Sequence, residues 1–285
     1  MGTTFEAMIA GCEMSYAHQA AQAAFGEVER LESLFSRFNA SSEISQINRL
    51  KPGESMKIGV ETYECLTVAE EVRQQTDGAF DINFLSLIKS RQQSIKKGPS
   101  MILSSSSGFS LATEPGEAKH GRACLNLDLG GIGKGYVLDK ASQILLEWDI
   151  DRHLLHSGTS TAFATGDAAG LDPGEPGWPV GAGAASGFAG MSRRLLLKNR
   201  ALSGSGTEVK GRHIIDPRTG YPAGRYMAVW VSHPQAAVAD ALSTAFMAMS
   251  LKEIERYCDR HPQVWSLVIT NAQTSFIFNR EIIIS

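Results

Sequence analysis

Apolar residues recur every three or four positions between Ala17 and Phe38, at Ala20, Ala24, Val28, Leu31, Leu34 and Phe35, which predicts a long helix with one face in a core. The same period returns from Val60 to Thr76, where Asp77-Gly78 ends it. Ala236 to Met249 is apolar nearly all round, as a buried helix is, and Tyr136 to Trp148 and Leu251 to Arg260 read as further helices. Ser41 to Asn48 reads as a capped turn with a short helical piece. Strict alternation in Leu125-Asn-Leu-Asp-Leu129 predicts a strand, broken by Gly130-Gly131. Other strands are expected at Thr3 to Glu13, His153 to Ser157, Ala162 to Thr165, Arg194 to Leu197, Met227 to Val231, Trp265 to Ile269 and Phe276 to Phe278. Lys96 to Ser107 and Ala168 to Gly190 read as loops, the second with a short strand around Val180. Strands and helices mixed without regular alternation favour an α+β fold over a doubly wound parallel sheet, and the length suits one large domain or two modest lobes.

Composition narrows the class. The 285 residues are 43% hydrophobic and 20% charged with a net charge of -3, so the basic excess of a nucleic-acid binder is missing. Cys12, Cys65, Cys124 and Cys258 are far apart, with no C-x-x-C pair, and read as free thiols in a reducing compartment. No apolar run reaches the ~18 residues of a membrane span. Met8-Ile-Ala-Gly-Cys12 mimics a lipoprotein cleavage box, but Glu6 interrupts it and no basic segment precedes it, so a buried first strand is the better reading. The expected compartment is the cytoplasm as the sequence stands, or the periplasm or a membrane surface if an export leader has been removed.

The candidate chemistry concentrates near the C-terminus. Ser203-Gly-Ser-Gly-Thr207 reads as a flexible glycine loop able to cradle phosphate, with Ser203, Ser205 and Gly206 as its contacts. His213 follows closely, as a base beside that cradle or as a structural histidine. Arg218 either grips a phosphate with two parallel hydrogen bonds or pairs with Asp216. Asp240 and Thr244 are one helical turn apart, so their oxygens share a face. That pair suits Mg²⁺, which takes few protein ligands and completes its shell with water and phosphate; the bland alternative is an aspartate capping a helix. Asp128-Leu-Gly-Gly-Ile-Gly-Lys-Gly-Tyr136 is either an anion site at a helix start or a tight turn. Phe38 and Phe80 either flank a planar ring or pack in the core.

In order along the chain, Met1-Gly-Thr3, Ser42 to Asn48, Thr76-Asp-Gly-Ala-Phe-Asp81, Asp128 to Asp139, His213 to Pro222 and Ala239-Asp-Ala-Leu-Ser-Thr244 resemble the ApbE family, the FAD:protein FMN transferases. The resemblance spans nearly the whole chain and implies one domain over residues 1–285. It implies two lobes around an FAD cleft, and transfer of FMN to a Thr or Ser of an acceptor flavoprotein with release of AMP. It implies Mg²⁺, or Mn²⁺ in its place, on Asp240, Thr244 and a backbone carbonyl near Gly131. His213 is implied as the group that takes the acceptor proton, Lys134 and Asp81 lie along the FAD, and Met1 and Phe38 sit near its flavin end. Two departures stand out: Gly204 where the family carries threonine, and Ser157-Gly-Thr-Ser160 where it often carries Gly-Gly-Asp. Hydrolysis of FAD to FMN and AMP, and flavin binding without catalysis, are the competing expectations.

Overall fold

A computed structural model describes residues 3–86, 109–111, 117–120, 125–168, 176–182, 193–207 and 214–280. Met1, His213, Cys124 and the expected 96–107 loop lie outside the described residues. The chain opens with β1 (Phe5–Ile9), α1 (Met14–Phe35), α2 (Glu43–Ile47), β2 (Ser55–Lys57), α3 (Val60–Gln75), β3 (Phe109–Leu111) and β4 (Glu117–His120). It continues through α4 (Gly133–Glu147), β5 (His153–Ser157), β6 (Thr161–Thr165), β7 (Trp178–Ala182), β8 (Arg193–Leu197) and β9 (Arg200–Gly206). β10 (Ile215–Asp216), β11 (Tyr221–Pro222), β12 (Tyr226–His233), α5 (Ala236–Ala248), α6 (Leu251–Arg260), β13 (Trp265–Thr270) and β14 (Ser275–Phe278) complete it. The expected α+β class holds. Among the described residues one seven-stranded sheet, in the order β1-β5-β6-β9-β12-β13-β14, dominates. Every neighbouring pair in it is antiparallel.

Helices cover one face of this sheet. In α1 the residues Ala20, Ala24, Val28, Leu31 and Phe35 are buried, three or four apart, so a single stripe meets the core. α5 is buried almost throughout because it lies between β9 and β12 on one side and α4 on the other. The opposite face carries the β7–β8 hairpin, whose Trp178, Leu195 and Leu197 pack with Leu154, Leu202, Trp265 and Leu267. β1 is the edge strand and alternates between half-buried and exposed, with Met8 50% exposed, so it is not the buried strand expected.

Two other local expectations are corrected. Among the described residues Leu125 to Leu129 has no strand partner. The Asn48 side chain accepts from Leu127 N (2.6 Å) and donates to Leu127 O (3.0 Å), Asn83 Oδ1 accepts from Asn126 N (2.7 Å), and Asp128 N donates to Ile82 O (2.7 Å). Alternation records which residues are buried, here Leu127 and Leu129, and two side-chain amides meet the backbone demand that a ladder would otherwise satisfy. Ser203 to Gly206, read with Thr207 as a flexible glycine loop, instead form the second half of β9 in the middle of the sheet, where β12 pairs with Ala201 to Gly206 and β6 with Arg200 to Ser203. Serine and glycine are tolerated there because β12 pairs with the segment as far as Gly206 and because close neighbours need the room.

Candidate active site

α4 and α5 cross so closely that the N-terminal backbone of α5 is capped by its neighbour. The Asp139 carboxylate accepts from Ala236 N (2.7 Å) and Ala237 N (2.9 Å), and burial raises its pKa to about 6. This contact leaves Asp240 free of the capping role considered for it. Instead it stands in the second turn of α5, 3% exposed, at the junction of α4, α5 and β9. Lys134 Nζ lies 3.1 Å from Asp240 Oδ2 and 3.3 Å from Oδ1, and also donates to the carbonyl of Gly130 (2.8 Å). Gly135 N donates to Oδ2 (3.2 Å), and Ser203 Oγ to Oδ1 (3.3 Å). A buried carboxylate is tolerated only when so compensated.

Hydroxyls extend the cluster. Ser205 Oγ is 2.9 Å from Ser243 Oγ and 3.5 Å from Thr244 Oγ1, while the Ser243 and Thr244 hydroxyls donate to Asp240 O. Thr244 faces the glycine turn: a Cβ built on Gly131 would stand 3.2 Å from Thr244 Oγ1 and 3.3 Å from Phe80. A cavity of about 1450 Å³ opens here. It exceeds the ~300–1,000 Å³ usual for small ligands and has room for a dinucleotide. Phe38, Asp81, Gly131, Lys134, Ser205, Gly206, Asp240 and Thr244 all border it. Ser203 acts through its bond to Asp240, and Ile214 and Ile215, beside His213 in sequence, also line the wall.

Arg218 is not in the cavity wall. Its guanidinium is held by Asp216 (3.0 Å), Glu253 (2.8 Å) and the Ala248 carbonyl (2.9 Å), so the pairing alternative is the one realised, and it ties the β10–β11 turn to the α5–α6 junction. Phe38 stands beyond the end of α1, 83% exposed at the cavity rim with the Arg37 guanidinium 4.2 Å above its ring, while Phe80 is a core residue at 4%. Ser243, Asp139, Arg37 and Trp230 escaped the sequence reading. Ser243 was legible, three residues after Asp240 on the same helix face; Asp139 and Trp230 matter only through contacts made across the fold.

Asp81 borders the cavity at the end of the Thr76-Asp77-Gly78 turn that stops α3. Burial raises its pKa to about 6, although Asn83 N donates to it (2.7 Å). From its ordinary value of 3.8 up to about 6, the folded chain keeps a proton that the unfolded chain has released, so stability falls as pH rises through that window. Above it the cost is complete, roughly 2–3 kcal/mol. Asp81→Asn is therefore expected to raise the melting temperature at pH 8 and to leave it nearly unchanged at pH 4. An equal shift at both pH values in thermal melts would refute the assignment.

The sequence profile of the ApbE family matches residues 1–268. The chain belongs to that family. Two curated relatives, both named FAD:protein FMN transferase, come from Klebsiella pneumoniae and Chlamydia pneumoniae. The first is 22% identical over 73% of this chain and 68% of its own length, the second 24% identical over 81% and 77%. Among solved structures, a histidine-to-glycine mutant of the flavin transferase ApbE from Vibrio cholerae superposes with a TM-score of 0.80 at 18% identity, covering 99% of this chain and 96% of that one. The ApbE protein of Thermotoga maritima gives 0.79 at 23% identity, over 98% and 95%. At these identities the structures establish the ApbE fold. Among the described residues no helix is long and apolar enough to cross a membrane.

Proposed function

We propose that this ApbE family member transfers the FMN moiety of FAD to a Thr or Ser hydroxyl of an acceptor flavoprotein. The observation that carries the reading is the junction at Asp240. The buried Asp240 carboxylate, the Ser205 and Thr244 hydroxyls and a glycine turn border a single cavity of dinucleotide size, in a chain whose curated relatives are named for this reaction.

In the proposed reaction the acceptor oxygen attacks the FMN-side phosphorus. The bond to the bridging oxygen breaks, AMP leaves with that oxygen, and the hydroxyl proton passes to a base. His213 is the proposed base, worth ~10²–10⁴ in rate. Asp240, Thr244 and a backbone carbonyl of the turn at Gly131 form an all-oxygen set with few protein ligands, which fits Mg²⁺ or Mn²⁺ held jointly with phosphate. Among the described residues no group of three or more His, Cys, Asp or Glu gathers to suggest a different metal. When bound, such an ion would neutralise pyrophosphate charge as it shifts toward AMP. Lys134 bridges the neighbouring Gly130 carbonyl and the Asp240 carboxylate, so its ammonium holds the turn against α5 and can turn to a phosphate oxygen. Ser205 and Thr244 present hydroxyls to the same space.

The test is incubation with FAD, Mg²⁺ and an acceptor flavoprotein, followed by intact mass. The expected result is an adduct heavier by one FMN unit less water, stoichiometric AMP, and loss of both on chelation with recovery on adding Mg²⁺. AMP release at the same rate without acceptor would replace the transferase reading by hydrolysis.

A further inference from the structure

Gly204 and Trp230 face each other across β9 and β12 and are fitted to one another. A Cβ built on Gly204 would stand 2.8 Å from Nε1 and 3.0 Å from Cδ1 of the indole, so the ring stands where it does only because position 204 has no side chain. Ser203 and Ser205 send their hydroxyls toward α5, so alternation turns position 204 to the opposite face of the sheet. On that face the half-buried indole borders the cavity beside Leu154, Ala162, Val180 and Leu202. The β6–β9 pairing runs out at Thr161 and Ser203. Past this point Gly158 to Ser160 and Gly204 to Gly206 line the cavity, which thus borders both faces of β9: the Asp240 junction on one, an apolar wall on the other.

That wall is built for a flat apolar partner. Cross-strand cover of a glycine by an aromatic ring also steadies a sheet, but that role alone does not require the ring to border the cavity that holds Asp240. We propose that the Trp230 indole is the surface on which a planar heteroaromatic ring of the dinucleotide, adenine or isoalloxazine, stacks, and that Gly204 is the residue that admits it. The proposal rests on the FAD-binding reading above. Stacking of a base on an aromatic side chain corresponds to a loss of roughly 10- to 100-fold in affinity when the ring is removed.

The experiment is equilibrium titration of the full chain with FAD, AMP and FMN in Mg²⁺, for wild type, Trp230→Leu and Trp230→Phe, with a thermal melt of each. Trp230→Leu is expected to weaken FAD roughly 10- to 100-fold, and Trp230→Phe to restore most of that. Of the two mononucleotides only the one carrying the stacked ring is expected to lose affinity, which identifies it as adenine or isoalloxazine. Gly204→Thr is expected to weaken FAD in the Trp230 background and to add no further loss on top of Trp230→Leu. If wild type binds FAD and Trp230→Leu binds all three ligands as well as wild type, the stacking role is overturned. Equal losses for AMP and FMN with a lowered melt would also overturn it, in favour of a structural role. If wild type binds no FAD under any metal condition, the functional reading itself fails and this proposal falls with it.

Discussion

Asp240→Asn is expected to lower FMN transfer by roughly 10²–10³-fold while the chain stays folded, because it removes the negative charge at the point where the proposed hard-cation and phosphate contacts converge. The buried carboxylate is the acceptor for Lys134, Gly135 N and Ser203 at once. Asparagine keeps one oxygen for those donors, so the hydrogen-bonded frame survives better than with alanine, and the lost quantity is mainly charge. Residual transfer should need more Mg²⁺ for half-maximal rate than wild type does. Intact-mass quantification of the adduct across a Mg²⁺ series, with a thermal melt of the same sample, separates this from unfolding. Transfer within twofold of wild type at low Mg²⁺ would remove Asp240 from the metal site.

Gly135→Ala is expected to be the most damaging glycine-to-alanine change among the described residues. A Cβ there would lie 2.1 Å from the carbonyl oxygen of Ala236 and 2.7 Å from Ala237 N, so it would meet the backbone of α5 and no side chain could swing away. Overpacking a close contact costs typically ~1–3 kcal/mol, and a clash with backbone belongs at or above the top of that range. For a chain of this size about 3 kcal/mol corresponds to a fall of roughly 6–12 °C in melting temperature. Activity should fall further than stability, because α4 carries Lys134 and α5 carries Asp240, and separating the helices pulls their charges apart. Gly26, exposed in α1 with nothing within 4 Å of a built Cβ, gives the contrasting case. Gly26→Ala should stabilise by roughly 0.5–1 kcal/mol through helix propensity alone. Equal melting temperatures for the two alanine variants would contradict the close-approach account.

Helices were the most legible part of the fold. The α1 stripe, the α3 stop at Asp77-Gly78 and the apolar α5 were all readable because a helix closes its hydrogen bonds within its own segment, so the burial period alone identifies it. Strands are less legible, since alternation reports burial and leaves the partner unnamed. Leu125 to Leu129 alternates as a strand would but is held by Asn48 and Asn83, while the glycine-rich 200–206 segment lacks strand character and is nonetheless clamped in the middle of the sheet. The site followed the same division. Asp240 and Thr244 share a face by helical spacing and were found. The remaining site features needed the fold: the pairing of Arg218 with Asp216 and Glu253, the capping by Asp139, and the fit of Trp230 to Gly204.

By itself, then, the sequence determined the α+β class, the helices, the collinear motifs of the ApbE family and the residue types available for phosphate, proton and hard cation. Only the tertiary structure decided which of those residues meet. It placed Lys134 on Asp240 from 106 positions away, and it set the Trp230 indole against the bare backbone of Gly204. The physical reason is that local periodicity is set by interactions within a few residues. A buried charge and a close-packed ring are fixed by partners that the chain brings together only when the sheet and its helices close.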